Sequence, residues 1–243
     1  MARPMTSLRS LLFNLLFAAW TILIFVISLP TLLMPTGATW TMGRLWVRGG
    51  LALLRWVVGL DHRVLGSEHR AAGAAIYAVK HQSAWDTLVF PLLLDRPAYV
   101  LKQELIRVPL FGQYLSRLGM IPVDRQGRGA ALKRMLRAAR TVAASKRPIL
   151  IYPEGTRIPP GEHRAYQPGI AALYGDLDLP VVPVALNSGL FWGRRSFNKR
   201  PGTITLEFLP PIPPGLGRRE FMEQLQGRLE PAADRLASHP DSR

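Results

Sequence analysis

A histidine five residues ahead of an aspartate, His81 and Asp86, is the pairing in this chain best suited to proton transfer. Five histidines occur, at 62, 69, 81, 163 and 239, and only His81 follows a convincing strand, AAIYAVK (74–80). The carboxyl edge of such strands is where open α/β sheets gather their sites. Gln82-Ser83-Ala84-Trp85-Asp86 reads as a turn from strand into helix, with Ser83 as its N-cap. Within one helix, residues five apart point about 140° away from each other, so His81 must stay in the turn for the two side chains to meet. Asp86 would then fix the imidazole tautomer and stabilise the imidazolium, leaving the other ring nitrogen as a general base. Spacing leaves a second reading open, a surface histidine beside a helix-start aspartate, and taken alone it favours that one.

Cations suited to an anionic ligand recur at other strand ends. Arg125 follows the strand GMIPVD (119–124), and Arg157 follows PILIYP (148–153) through the turn Glu154-Gly155-Thr156. Lys102 closes a further short run, and Gly155 would let backbone approach a ligand closely. Arg194-Arg195 and Lys199-Arg200, interleaved with Phe191, Trp192 and Phe197, suit either RNA or a membrane surface. Other chemistries lack their signatures. There is no G-x-S-x-G elbow, P-loop, H-E-x-x-H or G-x-G-x-x-G. The absence of cysteine removes disulfides, thiolate nucleophiles and cysteine metal sites.

The positioning elements fall into two parts. After Arg9 no charge appears until Arg44, and Leu11–Met34 is long enough to cross a bilayer core, which needs roughly 20 residues. This run exceeds the h-region of a signal peptide, about 7–15 residues, and no A-x-A site follows. A second apolar segment, 40–60, carries only Arg44, Arg48 and Arg55, which at helical spacing fall within a sector of about 40°. That stripe suits arginines snorkelling to lipid phosphates, and Trp20, Trp40, Trp46 and Trp56 suit the headgroup zone. Pro30, Pro35 and Gly37 break the two helices, and basic flanks on both sides favour a hairpin dipping into one leaflet.

Strands at 74–80, 119–124, 148–153, 181–186 and 203–209 alternate with helical patterns at 129–145 and 219–229, where Pro231 should end the last helix. The expected fold is α/β, a largely parallel or mixed sheet flanked by helices over 63–243, preceded by a two-helix membrane-docking segment over 1–62. With 243 residues there is ample chain for one such core. A net charge of +15 implies an anionic partner, whether nucleic acid, membrane or phosphorylated substrate. Arginine outnumbers lysine 26 to 5, which suits bidentate phosphate recognition.

In order along the chain, four blocks resemble motifs of the 1-acyl-sn-glycerol-3-phosphate acyltransferase (PlsC-type) family. They are His81-Gln-Ser-Ala-Trp-Asp86, Gly119-Met-Ile-Pro-Val-Asp-Arg125, Tyr152-Pro-Glu-Gly-Thr-Arg157 and Val182-Pro-Val-Ala-Leu186. Lys102-Gln-Glu-Leu105 fits a further family run, while Tyr152 and Pro122 replace commoner aromatics. The resemblance implies acyl transfer from acyl-CoA or acyl carrier protein to the sn-2 hydroxyl of 1-acyl-sn-glycerol-3-phosphate, giving phosphatidic acid. It assigns catalysis to His81 and Asp86, and acceptor binding to Lys102, Arg125, Glu154, Gly155, Thr156 and Arg157. It implies no metal, no cofactor beyond the acyl donor and no nucleic-acid partner. It implies docking on a membrane through the N-terminal helices, and the basic flanks would prefer the cytoplasmic face of an anionic inner membrane. Rival readings are a different lysolipid acceptor such as lyso-ornithine lipid, a catalytically silent lipid-binding relative, and a membrane-tethered nucleic-acid-binding protein.

Overall fold

In the computed structural model, which describes residues 4–124 and 127–238, seven short runs rich in branched residues pair into one sheet. They are β1 (Leu60–Leu65), β2 (Ile76–Val79), β3 (Ala98–Lys102), β4 (Ile121–Val123), β5 (Ile149–Ile151), β6 (Val181–Leu186) and β7 (Gly202–Phe208). Their order is β1-β7-β6-β2-β5-β3-β4. β2 lies parallel to β5 and β6, and β3 parallel to β5 and β4. β1 and β7 are parallel to each other but enter antiparallel through the β6–β7 pair. The expected α/β class with a mixed sheet is therefore what forms. β1 is a strand the sequence pattern conceals. It carries Asp61, His62 and Arg63, and as an edge strand it is only partly covered, so charges are tolerated there.

β2 is buried at all four positions, as expected of a strand covered on both faces. Alternation sends Ile76 and Ala78 into one core with α5 (Arg128–Ala144), α6 (Pro168–Leu177) and α7 (Arg218–Ser238). Tyr77 and Val79 enter the opposite core with α3 (Trp85–Leu93) and the N-terminal helices. α7 corrects one expectation, since it runs through Pro231 to Ser238. An interior proline usually costs about 3 kcal/mol. Here the turn beyond it buries Ala232, Ala233 and Leu236 against the sheet, and burying the leucine alone is worth about 1.5–3 kcal/mol.

The N-terminal helices α1 (Pro4–Ser28) and α2 (Thr36–Leu53) form an antiparallel hairpin. Trp20 Nε1 donates to the Trp46 carbonyl at 3.0 Å, and Trp46 Nε1 donates to Thr21 Oγ1 at 3.0 Å. Within Met5–Leu32 an 18-residue stretch has mean hydropathy 2.4 and is only 17% buried, so this helix is long and apolar enough to cross a membrane. The arginine stripe of α2 and the helical turn that follows it behaves differently from expectation. Arg44 pairs with Asp95 at 2.8 Å and Arg55 Nε lies 3.2 Å from Asp61, so two of its three members face the α/β domain. Carboxylates within reach of both guanidiniums decide this, while Arg48 is exposed. A second tie is the buried Lys199, whose Nζ donates to Asn14 Oδ1 of α1 and to the Phe197 carbonyl. The rings of Phe13, Trp192 and Phe197 surround it.

Candidate active site

Val79 ends β2, and the chain turns at once toward α3, placing His81 and Asp86 at the carboxyl edge of the sheet. His81 sits in the turn and Asp86 in the first turn of α3, as their spacing requires. Nδ1 of His81 lies 3.1 Å from Oδ2 of Asp86. The same oxygen accepts the backbone N–H groups of Gln82 at 2.6 Å and Ser83 at 2.7 Å, and Oδ1 accepts from the Ser188 hydroxyl. Asp86 is fully buried, and an acceptor-only carboxylate satisfies all these donors. Nδ1 then carries the proton, and the lone pair lies on Nε2. Ser83 acts one residue further out than expected. Ala84 occupies the N-cap position, and Ser83 Oγ accepts the Trp85 N–H at 3.1 Å.

Tyr152 stacks on the imidazole with ring centroids 4.0 Å apart and planes 22° apart. Its hydroxyl donates to the Asp86 carbonyl at 3.0 Å. Burial pushes its phenol far above the ordinary range, with Tyr99 and Asp86 adding to the effect, so it remains a neutral donor. The Ile158 N–H donates to the His81 carbonyl at 2.7 Å, tying the loop after β5 to the histidine turn.

His81 opens into a cavity of about 1280 Å³. Ile24, Phe25, Trp40 and Val47 of the hairpin line it with apolar groups. Lys102, Asp124, Glu154, Gly155, Thr156 and Arg157 line it as well. Five of the six proposed acceptor residues thus share a cavity with His81, and the sixth, Arg125, lies outside the described residues. Gly155 has φ +68°, and a Cβ there would press to 3.0 Å from the Gln167 side chain, so glycine is favoured at this bend. Lys102 is half exposed and pairs with Glu104 at 2.8 Å. Arg194 and Arg195, which the sequence left between RNA and membrane, line the same cavity, as does Arg164.

Glu154 has a more particular place than a rim residue. It is buried, with Oε1 2.7 Å from Nζ of Lys80, which also bonds both oxygens of Glu230 on α7. Glu230 in turn accepts from the Tyr166 hydroxyl and lies 2.6 Å from Nδ1 of His163. Burial raises the Glu154 carboxyl above its ordinary range, against the pull of Lys80. Burial alone would lower Lys80, but Glu154 and Glu230 outweigh it and raise it. Glu230 is pulled the opposite way to Glu154. Its burial is outweighed by the hydrogen bonds from Tyr166, Lys80 and His163, which lower it.

Four contributors escaped sequence reasoning. Ser188 lies two residues beyond β6, at the same sheet edge as His81, so its position was a usable signal. Gln82, whose Oε1 accepts the Gly189 N–H at 3.0 Å, and Lys80 flank His81 itself. Glu230 offered none, since only tertiary structure brings α7 to the site.

Comparison with known proteins agrees with this geometry. The acyltransferase family model matches residues 61–187. The chain is 33% identical to the 1-acyl-sn-glycerol-3-phosphate acyltransferase of Pseudomonas aeruginosa, covering 97% of this chain and 96% of the relative. It is 34% identical to the enzyme of the same name from Limnanthes douglasii, over 68% of this chain and 58% of that one. Its fold resembles the crystal structure of the 1-acyl-sn-glycerophosphate acyltransferase PlsC from Thermotoga maritima, with TM-score 0.77 and 20% identity over 95% of this chain and 97% of that chain. A buried carboxylate fixing His81, repeated sequence likeness and a shared fold place this chain in the acyltransferase family, with the 1-acyl-sn-glycerol-3-phosphate acyltransferases.

Proposed function

We propose that this chain esterifies the sn-2 hydroxyl of 1-acyl-sn-glycerol-3-phosphate with an acyl group from acyl-CoA or acyl carrier protein, giving phosphatidic acid. The observation that carries this is His81, held through Nδ1 by Asp86 and facing a cavity lined by both cationic and apolar residues. Nε2 takes the proton from the acceptor hydroxyl as its oxygen attacks the thioester carbonyl. Collapse of the tetrahedral intermediate expels the thiolate, which recovers that proton from the imidazolium. Asp86 keeps the ring oriented and stabilises its transient positive charge. No acyl-enzyme is needed, since the acceptor oxygen is itself the nucleophile.

Arg157 and Lys102, which line the cavity, would receive the acceptor phosphate, with Arg125 assigned beside them by the family pattern. The cavity exceeds the usual small-molecule range of about 300–1,000 Å³, as befits two acylated substrates meeting in one site. The apolar hairpin supports docking at an anionic membrane, and the basic flanks support its cytoplasmic face at the inner membrane. Purified protein offered an acyl donor with lysophosphatidate and lyso-ornithine lipid side by side should acylate the first. His81→Ala should lower turnover by roughly 10²–10⁴-fold. Acylation of lyso-ornithine lipid alone would refute the acceptor, and undiminished turnover in the variant would refute the mechanism.

A further inference from the structure

The cavity has a second wall, built by the chain between β3 and α4 (Phe111–Arg117). Leu105, Val108, Leu110 and Phe111 are each between 40% and 44% exposed, four large apolar side chains within seven residues. Their display is built in rather than loose. Leu110 has φ 62° and ψ −53°, and the Phe111 N–H donates to the Pro109 carbonyl at 2.7 Å. This is a γ-turn with positive φ, rare and strained for a residue with a side chain. Such strain persists only where surrounding structure fixes it. Here Gly112 N–H donates to the Val108 carbonyl at 2.7 Å, and a Cβ on Gly112 would fall 1.9 Å from the Ile106 carbonyl oxygen. Only glycine allows the backbone to close so tightly, and closing it turns Leu110 outward. Arg107 adds an exposed cation among the apolar side chains.

This ridge is continuous with the tip of the hairpin. Tyr114 of α4 shares a hydrogen bond with Ser28 of α1 at 2.8 Å and meets Phe25 edge-on with centroids 5.6 Å apart. Arg117 donates to the Met34 carbonyl. Beside these contacts Ile27, Leu29, Leu33 and Met34 are exposed, Leu33 at 94%. Soluble surfaces rarely leave so large a contiguous apolar area uncovered. Phe25 and Trp40 line the catalytic cavity from the hairpin, and Leu105 and Phe111 line it from the ridge.

We propose that the Leu105–Phe111 ridge is a second lipid-docking element, immersed in the same leaflet as the hairpin, with lysolipid passing sideways between the two to His81. The occupant is an anionic bilayer. Continuity with the hairpin supplies the apolar argument and Arg107 the charge. This rests on the lysolipid reading above and adds where the lipid enters.

The sequence contains no cysteine, so Leu110→Cys and Ile27→Cys each give one labelling site on the full chain. Each variant carries an environment-sensitive fluorophore and meets phosphatidylcholine–phosphatidylglycerol vesicles bearing acyl-chain spin labels. Quenching at both positions is the expected result. Quenching at 27 without 110 overturns the ridge and leaves hairpin docking intact, whereas quenching at neither refutes membrane docking itself. A response at 110 to acyl carrier protein without vesicles, together with no quenching by lipid, makes the ridge a protein-docking surface and overturns the proposal. A double variant, Val108→Ser with Leu110→Asn, should raise KM for vesicle-borne lysophosphatidate roughly tenfold. Neither residue lines the cavity, so kcat on a short-chain, monomeric lysophosphatidate should hold. An unchanged KM on vesicles would overturn the ridge as well.

Discussion

Lys80 and His81 are consecutive just past the end of β2, yet each meets a different buried carboxylate. His81 meets Asp86, whose oxygens accept from the imidazole, two backbone N–H groups and a hydroxyl. Lys80 meets Glu154 at 2.7 Å and Glu230 at 2.9 Å, so the Glu154 carboxylate leans on a cation rather than on a set of backbone dipoles. The carboxyl group is the same and its task differs with its neighbours. On the His81 side, dipoles and a hydroxyl hold a carboxylate still beside a base that must gain and lose a proton. On the Lys80 side, one cation holds two carboxylates from separate elements, anchoring the turn after β5 to α7. One side is built for proton transfer, the other for position.

Breaking the first side should give the largest effect. Asp86→Asn keeps the shape but points an N–H donor at groups that already donate, so the imidazole loses its tautomer control. Turnover should fall roughly 10²–10⁴-fold, with less change in KM, in steady-state assays on vesicles. On the second side, Lys80→Met leaves Glu154 and Glu230 facing each other without their cation. Removing one partner of a buried ion pair costs about 3–5 kcal/mol, so this variant should show its loss chiefly in chemical denaturation. A Lys80→Met protein that is as stable as wild type yet inactive would erase the distinction, making Lys80 catalytic.

Glu230→Gln tests the same side more gently. It keeps a hydrogen-bonding group near Tyr166 and His163 and should cost about 1–3 kcal/mol. Its pH dependence follows from the lowered Glu230 carboxyl. Such a group lends stability above the ordinary value of 4.5 and loses it as pH falls through its folded value. Melting curves of the variant should therefore decline less steeply than wild type below about pH 4.5. Identical acid limbs would show that Glu230 does not carry this coupling.

Much of this contrast could be read in the residues, and the unread part has a common cause. The strand before His81, the helix starting near Trp85 and the basic strand ends are local patterns, and together with the ordered motif blocks they pointed to the dyad and to five of the cavity residues. β1 was not, because a charged edge strand lacks the alternation that marks strands, nor was the end of α7, because burial of Ala232, Ala233 and Leu236 overrides Pro231. The pairings of Glu154 with Lys80 and of Arg44 with Asp95 were hidden for a different reason. Each joins elements distant in sequence, and composition shows only that charges exist, not which of them meet.

Lys199 sharpens the comparison from outside the site. Like Lys80 it is buried, but its partners are a neutral amide oxygen, a carbonyl and three rings. Desolvation therefore prevails and lowers its ammonium to about 8, whereas Lys80 is raised. The two lysines should impose opposite slopes on stability. Lys80 stabilises fully below its ordinary value of 10.5 and less as pH rises through its folded value. Lys199 binds its proton less well folded than unfolded, so between about 8 and 10.5 its contribution should grow with pH as the buried charge is shed. The melting temperature of wild type minus that of Lys199→Met should thus rise across this window. Because Lys199 holds Asn14 of α1, the gain should be greatest in hydrogen exchange of the first turns of the hairpin. A flat difference would mean that the ring-lined pocket does not discriminate against the charged amine, and that the cation–π contacts have replaced its lost water.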